Sequence, residues 1–132
     1  MTYLLDANTC VAVVRNVAAV SRRCTQNRGS LHLSVVLITE LEDWLMRPRT
    51  PFRFGQVFFA FTQNVTLLDV TEPIAHRAAL IGHGLRNQGR RLGLADLLTA
   101  ATALESNLML VTRSVQMFAG IPGLTVINWA VP

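Results

Sequence analysis

The order of segments in this chain predicts an α/β domain built on a central, mostly parallel sheet. Three observations carry that expectation. Short apolar runs at 3–5, 31–34, 65–68, 109–111 and 125–127 have the length and composition of strands. Between the first four lie segments whose apolar residues recur at helical spacing. A helix between successive strands is the crossover that parallel pairing requires.

Tyr3-Leu4-Leu5 runs straight into Asp6, and the chain then turns polar. We read a short buried strand with Asp6 at its carboxyl end, the position beside which open α/β sheets bind ligands. Asn8 and Thr9 are candidate caps for a helix over 9–14, and 17–25 forms a second helix. Arg28-Gly29 marks a turn, and Leu31-His32-Leu33-Ser34 alternates as a strand does.

From Val35 to Met46, Leu37, Leu41, Trp44 and Leu45 fall on helical spacing. Glu40 sits in the middle of that apolar side, whereas Glu42 and Asp43 are ordinary solvated acids. A buried carboxylate needs a partner, because isolated charge burial is costly. Pro48 and Pro51 separate this helix from an aromatic one carrying Phe52, Phe54, Phe58, Phe59 and Phe61. That is more apolar surface than one helix face of a small domain can bury, so we expect this helix pair, the Trp44 helix and the phenylalanine-rich one, to form a dimer or partner surface. The run 65–68 has the composition of a strand buried on both faces.

Thr71 caps the next helix, with Pro73 tolerated in its first turn, and Gln88-Gly89 ends it. Leu94 begins a helix rich in Ala and Thr. Asp96 lies in its first turn, where the helix dipole favours the ionised form. After the strand ending at Val111 come Thr112-Arg113-Ser114, a short helix through Phe118, and a turn at Pro122-Gly123.

Composition narrows the function classes. With 132 residues the chain is expected to form one domain, 1–132. No run reaches the length of a membrane span, and Asp6 interrupts any signal-like opening, so a cytosolic location without membrane contact is expected. Cys10 and Cys24 lack metal spacing and are read as small buried hydrophobes. The net charge is +4 and every basic residue is Arg. The planar guanidinium fork suits a polyanion, although Arg usage alone can reflect genome composition. There is no Gly-rich phosphate loop, and His32, His76 and His83 form no pattern.

Asp6, Glu40 and Asp96 are thus set apart from the solvated acids. If folding brings them together they repel one another, and a hard divalent cation relieves the repulsion. Oxygen ligands without a His or Cys cluster favour Mg²⁺, with Mn²⁺ as substitute, over Zn²⁺. Such a site can activate water and stabilise the leaving oxygen of a phosphodiester.

Four motifs in order resemble the PIN-domain ribonucleases, and more narrowly the VapC toxins of type II toxin–antitoxin pairs. They are Leu4-Leu5-Asp6-Ala7-Asn8; Ser34 with Thr39-Glu40-Leu41; Gly93-Leu94-Ala95-Asp96-Leu97-Leu98-Thr99-Ala100-Ala101; and Leu110-Val111-Thr112-Arg113-Ser114 with Phe118, Pro122-Gly123-Leu124 and Asn128-Trp129. The resemblance covers nearly the whole chain. It implies a PIN-like three-layer α/β/α domain and a toxic endoribonuclease that hydrolyses RNA with Mg²⁺. Asp6 and Asp96 would be metal ligands, and Glu40 would complete the acidic site. It also implies a VapB-type antitoxin as partner and a homodimer. One departure stands out: Ser114 and Met117 occupy positions where the family often carries a fourth acid.

On this reading the catalytic residues are Asp6, Glu40 and Asp96. Arg113 would touch phosphate, with Asn8, Thr112 and Ser114 as further substrate contacts. Arg15, Arg86, Arg90 and Arg91 are candidates for the RNA path. Two rivals stand beside it. One is a degenerate PIN domain that binds RNA or a protein without cutting. The other is a phosphatase-type enzyme with Asp6 as nucleophile, which lacks its usual second Asp (Asn8 stands there) and its Lys.

Overall fold

The computed structural model describes residues 1–131. The chain runs β1 (Tyr3–Leu5), α1 (Ala7–Val14), α2 (Ala18–Gln26), β2 (Leu31–Ser34), α3 (Val35–Met46), α4 (Phe52–Thr62), β3 (Thr66–Leu68), α5 (Glu72–Asn87), α6 (Leu94–Glu105), β4 (Met109–Val111), a 3-10 turn (Val115–Phe118) and β5 (Val126–Ile127). The five strands form one sheet in the order β3-β2-β1-β4-β5, and all four pairings are parallel. The expected α/β class with a parallel sheet is what the chain adopts.

The pleat sends alternate residues of each strand to opposite faces, and the core divides accordingly. Leu5, Leu33 and Val111 pack with α1, α2, α3 and Phe58 of α4 on one face. Leu4 and Leu110 pack with Leu85 of α5 and Ala100 and Ala103 of α6 on the other. The result is three layers. The alanines of α6 let α5 approach closely: a methyl added at Gly82 would stand 3.2 Å from Leu97 Cδ1.

Strand order reverses at β1. β2 and β3 lie on one side of it, and β4 and β5 on the other. That reversal opens a crevice beyond the carboxyl ends of β1 and β4, the place where open parallel sheets bind ligands.

Several expectations need correction. The run 65–68 is not buried on both faces: β3 is the edge strand, with Thr66 and Leu67 exposed, because only β2 pairs with it. The cap of α1 is neither Asn8 nor Thr9 but Asp6 itself. The aromatic helix α4 buries only Phe58, while Phe52 is 85% and Phe59 67% exposed. Cys10 and Cys24 are buried free thiols, as expected. Among the described residues no helix is long and apolar enough to cross a membrane.

Candidate acidic site at the strand ends

Asp6 follows the last residue of β1 and is 6% exposed. Its extended backbone turns the side chain back over α1, where Oδ1 accepts from the Thr9 backbone N–H at 2.8 Å. Its own N–H donates to the Val111 carbonyl at 3.1 Å, and the Thr9 hydroxyl donates to the same carbonyl at 3.1 Å. Asp6 is therefore tied to the ends of both strands that flank the crevice. Among the described residues Oδ2 takes no hydrogen bond, so one carboxylate oxygen remains for a ligand.

Asp96 is half-buried in the first turn of α6. Glu40 lies midway along α3. Burial raises the Glu40 carboxyl above its usual value, and the charges of Asp96 and then Asp6 raise it further. Asp96 is raised by burial first and by Asp6 second. The three carboxylates thus stand within one another's field, although they come from a strand end and two separate helices. Two expectations change here. Glu40 belongs to the exposed class rather than to the buried apolar side of α3, so its shift arises from a partly screened position. Asp96 sits in the first turn of α6, yet its carboxyl is raised rather than lowered, by burial first and by Asp6 second.

Among the described residues no three His, Cys, Asp or Glu side chains close into a ready-made metal cage. The notch is open. An octahedral cation that keeps waters and takes phosphate oxygens fits such a notch better than one needing a complete set of protein ligands. The oxygen-only donor set agrees with that preference.

The other expected contacts divide. Asn8 and Arg113 are exposed, and Ser114 is half-buried. Thr112 is fully buried, so its expected contact with substrate is not available. Its hydroxyl instead accepts from the Ser114 N–H at 2.9 Å, which shapes the turn leading to Arg113 and Ser114. Arg15, Arg86 and Arg91 are exposed. Arg90 is engaged elsewhere: its guanidinium donates to the carbonyls of Ala119 at 2.6 Å and Met117 at 3.1 Å, tying the 3-10 turn to the segment before α6. That removes it from the exposed arginines. The three histidines are engaged elsewhere: His32 with the Tyr3 carbonyl of the neighbouring strand, His76 with Glu72 and His83 with Asn87 one helical turn away.

Sequence reasoning named Thr9 only as a candidate cap and missed its actual role: it is buried and joins Asp6 to β4. The signal was present as an Asp followed three residues later by Thr at a strand-to-helix junction.

A PIN-domain family model matches residues 3–118. The chain belongs to the PIN-domain family. It is 28% identical to the tRNA(fMet)-specific endonuclease VapC of Shigella flexneri over 131 residues, covering 98% of this chain and 99% of the relative. It is also 28% identical to ribonuclease VapC2 of Haemophilus influenzae over 130 residues, covering 98% of each. Among solved structures it superposes on DNA-bound VapBC from Salmonella typhimurium with a TM-score of 0.88 at 25% identity, covering 98% of both chains. VapBC-1 from nontypeable Haemophilus influenzae gives a TM-score of 0.84 at 25% identity, covering 99% of this chain and 100% of that one.

Proposed function

We propose that this chain is the ribonuclease toxin of a toxin–antitoxin pair and cleaves RNA phosphodiester bonds at the Asp6–Glu40–Asp96 notch. The observation that carries the reading is the mutual field of three carboxylates at the strand-order reversal. The likeness to VapC ribonucleases along almost the whole chain supports the same conclusion.

Asp6 and Asp96 would hold Mg²⁺, for which Mn²⁺ can substitute. When bound, the ion supplies Lewis-acid stabilisation of phosphate charge and an acidified water. Asp6 is pre-oriented, because its cap bond to Thr9 leaves Oδ2 directed elsewhere. Glu40, whose carboxyl is raised above its ordinary value by burial and by the charges of Asp96 and Asp6, would orient the attacking water and accept its proton or share in ligation. Arg113 approaches the scissile or adjacent phosphate, and Asn8 and Ser114 add polar contacts. Arg15, Arg86 and Arg91 would carry flanking phosphates, which bind RNA without reading its sequence.

Purified protein should cleave structured RNA, transfer RNA included, only with Mg²⁺ or Mn²⁺. Asp96→Asn and Asp6→Asn should each lower the rate by at least about 10²-fold. Wild-type rates in Asp96→Asn would refute the site. Metal uptake measured by calorimetry gives a second readout. A chain that binds RNA but neither takes up metal nor cuts would be a non-cleaving binder, the reading that the lack of an acid at Ser114 and Met117 leaves as alternative.

The partner in this reading is a VapB-type antitoxin, and the chain acts in the cytoplasm as a single-domain protein that forms a homodimer. The exposed phenylalanines of α4 supply apolar surface for one of these contacts. Expression of the chain alone should slow growth, and co-expression of the partner should restore it.

A further inference from the structure

A cleft leads away from the acidic notch between α1 and α3. Asn8 and Val11 line one wall, and Glu40, Asp43, Trp44 and Arg47 line the other. From Glu40 to Arg47 the α3 wall extends about 10 Å along the helix axis. One end is therefore the catalytic carboxylate, and the other holds Trp44 with the paired Asp43 and Arg47, while Arg15 stands beside the indole. Trp44 is half-buried; Phe54 stacks on it with centroids 5.7 Å apart and planes 26° from parallel. The Arg15 guanidinium stands 5.5 Å from the indole centroid. Arg15 is exposed and makes no ion pair among the described residues. Among the described residues Arg47 pairs only with its neighbour Asp43, at 3.1 Å on an exposed surface where such a pair contributes little.

We propose that this cleft is a nucleobase subsite, in which Trp44 stacks the base of a nucleotide flanking the scissile phosphate and Arg15 and Arg47 hold that nucleotide's phosphates. The proposal rests on the ribonuclease reading and adds a substrate contact to it. Tryptophan presents a π-face that takes any base, and single-stranded nucleic acid is held by such faces set in cationic grooves. Phe54 belongs to the apolar cluster and fixes the indole. Arg15 is the exposed member of the stack. A base can exchange with its guanidinium, which then gains a phosphate in place of the ring. The cleft has a volume of about 240 Å³, just below the range that takes drug-sized ligands. That suits one planar ring system rather than a docked helix. The larger apolar surface lies elsewhere, around Phe59 and Leu45 between α3 and α4. This separation favours RNA over a protein segment at Trp44.

The test uses full-length Asp96→Asn protein with Mg²⁺ and a single-stranded RNA tetranucleotide, compared with the same oligomer bearing one abasic position. Binding is read by polarisation and by indole emission. Trp129 is buried, and the Trp44→Phe variant isolates its contribution. Stacking predicts quenching of Trp44, roughly tenfold weaker binding for Trp44→Leu and for the abasic oligomer, and near-normal affinity for Trp44→Phe. In the Asp96-containing protein, Trp44→Leu should raise KM for RNA cleavage with kcat nearly unchanged. The subsite is overturned if the Trp44 chain and the Trp44→Leu variant, at equal melting temperature, bind abasic and intact oligomers equally. So does loss of antitoxin binding in Trp44→Leu with oligomer affinity unchanged overturn it, by assigning the cleft to protein. Base-dependent binding without any cleavage by the Asp96-containing protein would sustain the subsite and sink the nuclease reading instead.

Discussion

Asp6 does two jobs with one carboxylate. Oδ1 caps α1 through the Thr9 N–H, and among the described residues the other oxygen takes no hydrogen bond. Among the described residues Asp96 and Glu40 have no such partner, and their carboxyls are raised first by burial and then by neighbouring carboxylates. The sign of the resulting pH effect follows. A carboxyl raised above its usual value of 3.8, as Asp96 is, contributes its full stability at pH below that value and loses it as pH rises through the folded one. The cation-free protein therefore carries a penalty at neutral pH that Asp96→Asn removes. Thermal unfolding should show Asp96→Asn more stable than wild type by about 1–3 °C at pH 7, a small figure because Asp96 is only half-buried. The gain should vanish near pH 3. Saturating Mg²⁺ should reverse the order, since a ligand of the folded state adds stability by mass action and the Asn variant forfeits it. A wild type that melts at the same temperature with and without Mg²⁺ would count against the notch as a cation site.

At the scale of elements, the position of Asp96 depends on how α6 is seated. Gly82 of α5 lies against Leu97, the residue after Asp96. Gly82→Val would overpack that contact and should cost about 1–3 kcal/mol in denaturant unfolding. Calorimetric Mg²⁺ affinity should fall with it, because α6 can yield only by moving its first turn. Gly82→Ala should be nearly neutral, as the 3.2 Å approach needs only a small shift of a leucine methyl while Ala improves helix propensity. Helix α4 makes the opposite prediction. Phe52 and Phe59 are exposed, so replacing both with Ser should leave the melting temperature within about 2 °C. If this face joins two copies, the same variant should elute later on size exclusion and reach monomer mass by light scattering; unchanged mass would remove α4 from the homodimer.

At the scale of the whole molecule, the net charge of +4 is carried entirely by arginine. Not all of it is free for RNA. Arg77 pairs with Glu105 at 2.8 Å and Arg90 holds the 3-10 turn. Of the arginines assigned to the RNA path or the phosphate, Arg15, Arg86, Arg91 and Arg113 are exposed. Three phosphate contacts to single-stranded RNA would give a roughly tenfold to twentyfold loss of affinity between 50 and 200 mM salt. Arg15→Gln should flatten that slope by about 0.7, whereas Arg90→Gln should leave the slope unchanged and lower the melting temperature. A slope that ignores Arg15 would place the RNA path on another face.

The sequence by itself determined the parallel α/β class, nearly all the elements, and which three acids to single out. Those features are local: strand runs, helical spacing, caps, and a carboxylate at the end of an apolar run can each be read within a few residues. Only the tertiary structure decided that Asp6, Glu40 and Asp96 share one field, because they lie on a strand end and two helices brought together by the reversal of strand order at β1. It also decided that β3 is an exposed edge, that Thr112 is buried, and that Arg90 is tied to backbone carbonyls. Exposure and partnership depend on residues distant in the chain. Neither composition nor spacing contains that information until the sheet order is known.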